Sequence, residues 1–389
     1  MIYLDNHSTT RCDQRVVAAM LPWLSEHFGN PHSSHAGGVV AADAIALATD
    51  RIAGRLGVKA ENVVYTSGAT ESNNLAIRGV CLHPRQKRRH IVTVATEHPA
   101  VLDVAHDIKR QGFTVTVVPV HPNGTEQAGS VDLDQLADAI TDDTAIVSVM
   151  AANNEIGSLT PLAPIAELTH ARGALLHSDA TQAIGRLPLD VVASDVDLIS
   201  ASAHKFYGPK GAGFLIVGNG NRRVRLLPQI VGGGQQRGIR SGTLSPANIV
   251  GIDTAMQLCQ DGGATERETI GKLRDQLWQI LESGIDGLQI NGPPLRSPHR
   301  LLGNLNVTLP GVEGETLMAA ATDVAFSTGS ACSNVDPAPS HVLMALGLDE
   351  SAARRSVRFG IGRFNTDQDI QRSGEVLLAA FKRLIRLAR

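Results

Sequence analysis

Short apolar runs recur along the N-terminal part of the chain, and each run ends in a polar cluster or a turn. Runs of this length that are rich in valine, isoleucine and leucine are typical of buried strands. The stretches between them, such as residues 41–57 and 162–173, are longer and have apolar residues at helical spacing. The strand candidates are "NVVYTSG", "HIVTVATEH", "TVTVVPV", "TAIVSVMAANN", "ALLHSDA", "DLISASAHK" and "GAGFLIVG". This alternation predicts an α/β domain with a mainly parallel sheet covered by helices.

Polar residues follow several predicted strands at the point where each strand ends. In open α/β sheets, ligands bind at the carboxyl ends of the strands. The polar clusters are Thr66–Gly68, Glu97–His98, Asn153–Glu155, Ser178–Asp179 and His204–Lys205. We therefore expect these strand ends to face one site.

The pattern changes to helix-rich sequence near Gly262 and Gly263, after the glycine-rich segment "VGGGQQRGIRSGT". Domain boundaries commonly fall where such segments interrupt the pattern. We expect a large domain over residues 12–257. We expect a smaller α+β domain over residues 258–389, to which residues 1–11 also belong.

The composition is that of a globular protein. The chain has 389 residues, of which 43% are hydrophobic, and this is enough for a buried core. The formal net charge is −3, so no long-range field favours nucleic acid or a membrane surface as the main partner. The basic run at residues 84–90 is expected to be a solvated connector. A small-molecule substrate fits this composition best.

Neither a targeting segment nor a paired-cysteine motif is apparent. The opening "MIYLDNHSTT" lacks the charged and apolar regions of a secretory signal, and no apolar run reaches the roughly 18 residues of a membrane helix. We therefore expect a cytoplasmic protein. The cysteines show no zinc-ligand spacing, so neither a metal site nor a disulfide framework is expected. They are Cys12, Cys81, Cys259 and Cys332.

The segment "YTSGATESNNLAIRG" has the pattern of a strand, a tight turn and a helix. Gly68 permits the turn, and Thr70 is a candidate helix cap. The free N–H groups at the start of such a helix bind phosphate well. The alternative is a capped helix with a structural role only.

Two further strand ends carry charged residues that a cofactor could use. Asp179 follows a buried strand, where a carboxylate needs a cation such as a pyridinium nitrogen, or else a structural salt bridge or helix cap. Lys205 ends another strand, where it either extends to solvent or forms a Schiff base. A phosphate cup, an acid for a ring nitrogen and a strand-end lysine together predict pyridoxal phosphate.

Blocks of sequence along nearly the whole chain resemble those of one enzyme family. They are "YLDN", "FGNPHSSH", "TSGATESNNLAI", "TEHPAVLD", "NNEIG", "HSDATQAIG", "SAHKFYGPKG", "GGGQQRGIRSGT", "STGSAC" with "PSHVL", and "VRFGIGRFN". The chain resembles the cysteine desulfurases, in the class V aminotransferase branch of the fold-type I pyridoxal-phosphate enzymes. The resemblance implies that fold, with a seven-stranded sheet in the large domain, and pyridoxal 5'-phosphate as the cofactor.

The resemblance also implies the roles of individual residues. Lys205 would carry the cofactor as a Schiff base and move the substrate α-proton, Asp179 would pair with the ring nitrogen, and His98 would stack on the ring. A strand-end histidine satisfied by its neighbours is the alternative for His98. The other implied cofactor contacts are Ala69, Thr70, Ser202 and His204 at the phosphate, Asn154 and Gln182 at the ring hydroxyl, and the partner subunit's Thr243 at the phosphate. A homodimer is therefore implied.

Arg358 matches the position that binds the substrate carboxylate, with Asn154 beside it. A planar guanidinium binds a carboxylate through two hydrogen bonds, which lysine does not reproduce. A surface ion pair is the alternative role for Arg358.

Cys332 lies in the segment "FSTGSACSNVDPAPSHVL", whose glycine, serine and proline residues predict a loop. The alternative is a small buried hydrophobic residue. By resemblance, the Cys332 thiolate attacks the sulfur of L-cysteine, alanine leaves, and Cys332 carries a persulfide. No lysine or arginine adjoins Cys332, so His98 is a candidate for activating the thiol. We expect this loop to be mobile and poorly ordered.

Departures from the family pattern occur at His7, Ser8 and Gln236, and none of them removes an implied catalytic group. Two alternatives to a desulfurase stay open. One is another class V enzyme, such as a selenocysteine lyase or an enzyme acting on a small amino acid. The other is a catalytically silent scaffold or partner protein. For a desulfurase, the sulfur acceptor would be an iron–sulfur scaffold or a tRNA-thiolation protein.

Overall fold

The computed structural model describes residues 1–328 and 338–387. Strands and helices alternate over the first part of the chain, as the hydrophobic pattern predicts. The strands are β1 (Ile2–Tyr3), β2 (Val63–Thr66), β3 (His90–Val94), β4 (Thr114–Val118), β5 (Thr144–Ser148), β6 (Leu175–Asp179), β7 (Leu198–Ser202), β8 (Gly213–Val217), β9 (Gln289–Ile290), β10 (Asn304–Thr308), β11 (Val324–Ala325), β12 (Ser327–Thr328) and β13 (Ser356–Gly360).

The helices lie between these strands and after the last of them. They are α1 (Gln14–Met20), α2 (Pro22–Ser25), α3 (Ala36–Arg55), α4 (Ala69–Cys81), α5 (Pro99–Arg110), α6 (Leu133–Ala139), α7 (Leu162–Ala171), α8 (Pro246–Gly284), α9 (Gly314–Ala320), α10 (His341–Ala345), α11 (Glu350–Arg354) and α12 (Asp367–Leu387). Short 3₁₀ helices occur at Ala60–Asn62, Ala203–Lys205 and Gln236–Gly238. Within the described part of the chain, no helix is both long and apolar enough to cross a membrane.

The central sheet has seven strands in the order β2-β8-β7-β6-β5-β3-β4. The five strands from β7 to β4 in that order pair in parallel, whereas β8 runs antiparallel to both of its neighbours. All seven apolar runs proposed as strands lie in this sheet. The predicted α/β fold class with a mainly parallel seven-stranded sheet is therefore confirmed.

Helices cover both faces of this sheet, and successive side chains along a strand point alternately into two cores. Ile91 and Ile146 join the core beneath α4 and α5, whereas Val92 and Val147 join the core on the opposite face. Strands that are buried on both faces need continuous apolar sequence, which is why they appear as runs without polar alternation.

Strand β2 lies at one edge of the sheet, where its outer backbone groups lack a neighbouring strand. The Gln236 side chain takes the place of a neighbouring strand. Its Oε1 accepts from the Tyr65 N–H at 2.6 Å, and its Nε2 donates to the Tyr65 carbonyl at 2.9 Å. An amide can donate and accept in this way, whereas a carboxylate only accepts. Gln236, which departs from the family pattern, thus has a structural role at the edge of the sheet.

A second core lies under the antiparallel sheet β12-β13-β10-β9, together with α9, α12 and the end of α8. The N-terminal segment belongs to this part, since β1 pairs in parallel with β11 and Leu4 is fully buried in the second core. The next residues, His7 to Thr10, continue from there to the carboxyl edge of the large sheet.

Helix α8 runs without interruption across the predicted domain boundary at residues 257 and 258. Cys259 still packs in the first core and Leu273 packs in the second, with a non-helical Gly263 (φ 49°) between them. The chain therefore passes between the cores at the break at Gly263, within the span of α8. The two-domain division over residues 12–257, 1–11 and 258–389 stays a prediction.

Candidate active site

A cavity of about 610 Å³ lies at the carboxyl edge of the central sheet. The polar clusters that follow the strands meet there, together with the N-terminal segment His7–Thr9. The sequence-predicted site residues that line the cavity are Ala69, Thr70, His98, Asn154, Asp179, Gln182, Ser202, His204, Lys205 and Arg358. One cavity therefore brings together most of the predicted site.

The N-terminus of α4 opens onto this cavity without a side-chain cap. The cap residue is Gly68, whose φ of 149° and ψ of −176° lie in a region that only glycine adopts readily. A Cβ at Gly68 would lie 3.3 Å from the Ser202 hydroxyl oxygen. Thr70 follows Gly68 in the first turn, so its predicted role as the helix cap is wrong. With no side chain on the first N–H groups, this helix end can bind an anion.

Asp179 ends β6 with its carboxylate at the base of the cavity. It is 6% exposed, and it accepts hydrogen bonds from Asn73 Nδ2 at 2.8 Å and the Thr181 N–H at 3.0 Å. No ion pair to Asp179 is found among the described residues, so the alternative of a structural salt bridge fails there. A buried carboxylate with neutral partners suits a cationic ring nitrogen.

Lys205 reaches the same cavity from the 3₁₀ helix that follows β7. Its Nζ donates to the carbonyl oxygens of His7 at 2.9 Å and Ser8 at 2.5 Å. These contacts aim the amine into the cavity, so Lys205 does not simply extend to solvent. Beside it, His204 Nδ1 lies 3.0 Å from Thr9 Oγ1, and burial lowers the pKa of His204 to about 4, with the positive charges of Lys205 and Lys210 adding to the effect.

His98 caps α5 and lies half-buried at the cavity wall. Its Nδ1 accepts a hydrogen bond from the Ala100 N–H at 3.0 Å, which leaves the ring proton of the neutral form on Nε2. Burial lowers the pKa of His98, the charge of Lys205 acts in the same direction, and Asp179 opposes both. The imidazole is therefore neutral at neutral pH, with an N–H that can donate.

Arg358 lies on β13 and is 2% exposed, so the alternative of a surface ion pair does not hold. Its Nη2 donates to Asp5 Oδ1 at 2.9 Å, to Ser8 Oγ at 2.7 Å and to Ser327 Oγ at 2.9 Å. Its Nη1 donates to the Asn154 carbonyl at 3.1 Å, whereas Nε is buried without a partner in the described structure. Arg358 lines the cavity, and a guanidinium that is already held in place there is suited to a carboxylate ligand.

Gln182 joins the cofactor side of the cavity to the N-terminal segment. Its Nε2 donates to the His7 carbonyl at 2.8 Å, and its Oε1 lies 3.1 Å from His7 Nδ1 and accepts from Arg186. The same His7 carbonyl accepts from Lys205. His7 thus connects two predicted site residues.

Comparison with known proteins identifies the family. A model of the family described as aminotransferase class V matches residues 2–372. The chain is 46% identical over 384 residues to the cysteine desulfurase IscS of Anaeromyxobacter sp. (strain Fw109-5), with 98% of this chain and 93% of the relative covered. This chain belongs to the cysteine desulfurase family of class V aminotransferases. Pyridoxal phosphate is accordingly its cofactor, and the buried Asp179 carboxylate and the uncapped α4 fit that group.

Other members of the cysteine desulfurase family give the same result. The cysteine desulfurase IscS of Rickettsia bellii (strain OSU 85-389) is 44% identical, with 98% of this chain and 92% of the relative covered. A solved structure titled NifS-like protein superposes with a TM-score of 0.89 at 33% identity, covering 98% of this chain and 99% of that one. A structure titled SspA in complex with cysteine has a TM-score of 0.82 at 31% identity, covering 94% and 100%.

Two residues implied by the family resemblance are not placed at the cavity. Thr243 is exposed and lies outside the cavity lining of this single chain. Cys332 and the expected mobility of its loop lie outside the described residues. The described residues on either side contact the site, because Ser327 contacts Arg358 and the Ser340 hydroxyl donates to Glu155 Oε2 at 2.5 Å.

Sequence reasoning missed the roles of the N-terminal segment and of Glu97. His7 and Ser8 stood out only as departures from the family pattern, although both line the cavity. Glu97 is fully buried, and its Oε1 accepts from the Met150 N–H. Burial raises the pKa of Glu97 well above its usual value, and the nearby charge of Asp179 raises it further.

Proposed function

We propose that this chain is a pyridoxal-phosphate-dependent cysteine desulfurase that converts L-cysteine to L-alanine and takes the sulfur on Cys332 as a persulfide. The observation that carries the proposal is the meeting, in one cavity, of Lys205, the uncompensated Asp179 and the buried Arg358. Relatives along nearly the whole chain that are named cysteine desulfurase support this reaction.

The cofactor is held by residues from several strand ends. The N-terminus of α4 at Ala69 and Thr70, with Ser202 and His204, would bind its phosphate. Asp179, His98, Asn154 and Gln182 would hold the ring, and Lys205 would form the Schiff base. When bound, pyridoxal phosphate accepts the electron pair that remains on the substrate when the α-proton leaves.

Arg358 binds and orients the substrate in this proposal. Its Nε is buried and unpartnered, while Nη1 and Nη2 are fixed by Asn154, Asp5, Ser8 and Ser327. A guanidinium that is already held needs little further ordering when a carboxylate arrives. Arg358 therefore selects an α-carboxylate and orients the substrate for reaction.

Lys205 moves the α-proton. The His7 and Ser8 carbonyls hold its Nζ at 2.9 and 2.5 Å, so the amine stays inside the cavity. His98 carries its ring proton on Nε2, because Nδ1 accepts from the Ala100 N–H. In this state His98 can donate a hydrogen bond through Nε2.

Cys332 takes the sulfur. Its thiolate forms a bond with the substrate sulfur, and the bond from that sulfur to Cβ breaks with its electron pair left on the three-carbon fragment. A proton added at Cβ and the return of the α-proton from Lys205 complete alanine, and Cys332 retains a persulfide. Among the described residues, Ser327 contacts Arg358 and Ser340 contacts Glu155.

We further propose a cytoplasmic homodimer that delivers sulfur to an acceptor protein. The exposed Thr243, remote from the cavity of its own chain, is available to contact the phosphate in a partner subunit. The name IscS of the relatives favours an iron–sulfur scaffold as acceptor, with a tRNA-thiolation protein as the other candidate.

The test is alanine formation from L-cysteine by the purified protein and by Lys205→Ala and Cys332→Ser. Both variants should lose alanine formation from cysteine, but only Lys205→Ala should also lose the cofactor's Schiff-base absorbance. Cys12→Ser, which alters a half-buried thiol, is the matched control and should keep both. Alanine formation from selenocysteine but not from cysteine would instead support a selenocysteine lyase, and a colourless protein would support a silent relative.

A further inference from the structure

A second cavity, of about 380 Å³, adjoins the active site. Its wall includes residues 185–187 and Tyr207 on one side and residues 296–298, residues 300–303 and Ile361 on the other. His7 lines both this cavity and the active-site cavity. The reaction proposed above uses no other residue of the second cavity.

Arginine residues dominate the charge of this second cavity. Arg186, Arg267, Arg296 and Arg300 all line it, and the described part of the chain provides no carboxylate partner for any of them. The one acidic residue in the described lining is Glu266, and its carboxylate pairs with Arg363 at 2.8 Å. The cavity wall therefore carries a net positive charge.

The two inner arginines are held only by neutral oxygen atoms. Arg300 is 2% exposed and donates to the Pro293 carbonyl at 2.7 Å and to Asn304 Oδ1 at 2.9 Å. Arg186 donates to Gln182 Oε1 and to the Asn6 carbonyl. Burial lowers the pKa of both guanidiniums, that of Arg300 to about 9, which reflects charge without a counterion.

Positive charge without a counterion in a partly apolar cavity is unfavourable until an anion enters. The rest of the wall is largely aliphatic and includes Leu187, Leu302 and Ile361. A site with guanidiniums and aliphatic side chains favours an anion with a short hydrocarbon body, since a fully hydrated inorganic ion would leave the aliphatic surface uncovered.

We propose that this second cavity is a binding site for a small aliphatic carboxylate. Arg267 and Arg296, which make no hydrogen bond or ion pair in the described structure, bind the carboxylate, and the aliphatic wall covers the chain of the ligand. The proposal does not depend on the desulfurase reaction, because it rests on a different cavity.

The test is a calorimetric titration of the holoenzyme with sodium butyrate, with sodium chloride at equal ionic strength as the baseline. We expect a dissociation constant on the order of 1 mM for butyrate. Butyramide, which has the same shape without the charge, should bind about tenfold more weakly, since hydrogen bonds to a charged group are the stronger kind.

Variants locate the binding. Arg267→Met should weaken butyrate binding about tenfold, and Arg186→Gln should weaken it as well. Arg85→Met, an exposed arginine outside the cavity, should leave it unchanged. Binding that is absent above the chloride baseline, or equal for butyrate and butyramide, would overturn the proposal. Binding that survives Arg267→Met and Arg186→Gln but is lost in Arg358→Gln would place the ligand in the active site and overturn it too.

Discussion

The guanidinium of Arg358 is held in place by several hydrogen-bond acceptors. Asp5, Ser8 and Ser327 accept from the same Nη2, while Nε is buried without a partner in the described structure. Ser8, one of the departures from the family pattern, contributes a hydroxyl. Its 2.7 Å hydrogen bond makes Ser8 a positioning residue for substrate binding.

Ser8→Ala should raise the KM for L-cysteine by about fivefold with little change in kcat, because it removes one hydrogen bond to a charged group and leaves the other contacts of Arg358 intact. Steady-state kinetics measures this effect. The cofactor absorbance should be unchanged, and Ser351→Ala, an exposed serine, should behave as the wild type. A lower cofactor affinity with an unchanged KM would contradict this role of Ser8.

Glu97 is the second residue whose environment sets its chemistry. In the unfolded chain its carboxyl has a pKa of about 4.3, and in the folded protein burial raises the pKa well above that value. The folded state thus holds a proton that the unfolded state releases above about pH 4.3. The contribution of Glu97 to stability is full below that pH and declines as the pH rises toward the folded pKa.

Glu97→Gln should therefore become more stable than the wild type as the pH rises above about 5, by up to about 1.4 kcal/mol for each pH unit in which only the folded state keeps the proton. Glutamine keeps the oxygen that accepts from the Met150 N–H. Denaturant unfolding at several pH values measures the difference. Glu167→Gln, at an exposed position, is the control. A difference that is constant across this pH range would contradict a raised pKa for Glu97.

At the residue scale, the sequence predicts the groups that carry charge or a turn, but not how they are held. The sequence predicts Asp179 and Lys205 as site residues, because a charged side chain at the end of a buried strand needs a partner or a chemical role. His7 and Ser8 have no such local signal. Their contacts with Gln182 and Arg358 span more than 150 positions of sequence and form only in the folded chain.

At the scale of elements, the turn from β2 into α4 shapes the proposed phosphate site. Gly68 serves as the helix cap in a conformation that a side chain disfavours, and a Cβ there would lie 3.3 Å from the Ser202 oxygen. The predicted cap, Thr70, was wrong because the helix starts earlier, at Ala69. A threonine near a helix start is a common capping signal, but Gly68 already occupies the cap position.

Gly68→Ala should lower the free energy of unfolding by about 1–3 kcal/mol, since alanine is strained at this φ and ψ. It should also weaken pyridoxal phosphate binding, because the first turn of α4 must shift. Gly54→Ala is the matched control: it lies within α3, no atom lies within 4 Å of the added Cβ, and it should raise stability by about 0.5–1 kcal/mol. Denaturant unfolding and titration of the apoenzyme with cofactor measure both effects. Unchanged cofactor binding by Gly68→Ala would contradict the proposed phosphate site.

The strands of the large sheet could be predicted because each is an apolar run between turns. The short strands could not be predicted, because β9, β11 and β12 have only two residues each and show no hydrophobic pattern. Their pairing depends on distant partners, as when β1 pairs with β11 more than 300 residues away.

At the scale of the molecule, the site is assembled from both ends of the chain. The N-terminal segment leaves the second core at Leu4 and reaches Lys205 through the carbonyls of His7 and Ser8. Arg358 arrives on β13, which pairs with β10 and β12. Folding of the C-terminal part is therefore a condition for a complete site in the large sheet.

The central claim is that sulfur from L-cysteine is transferred to Cys332, and peptide mass spectrometry after one incubation with L-cysteine tests it most directly. The account predicts one additional sulfur atom on the peptide that contains Cys332 and an equal amount of alanine. Cys332→Ser should show no protein persulfide while keeping the cofactor. The additional sulfur on Cys12, Cys81 or Cys259, or undiminished persulfide in Cys332→Ser, would contradict the account.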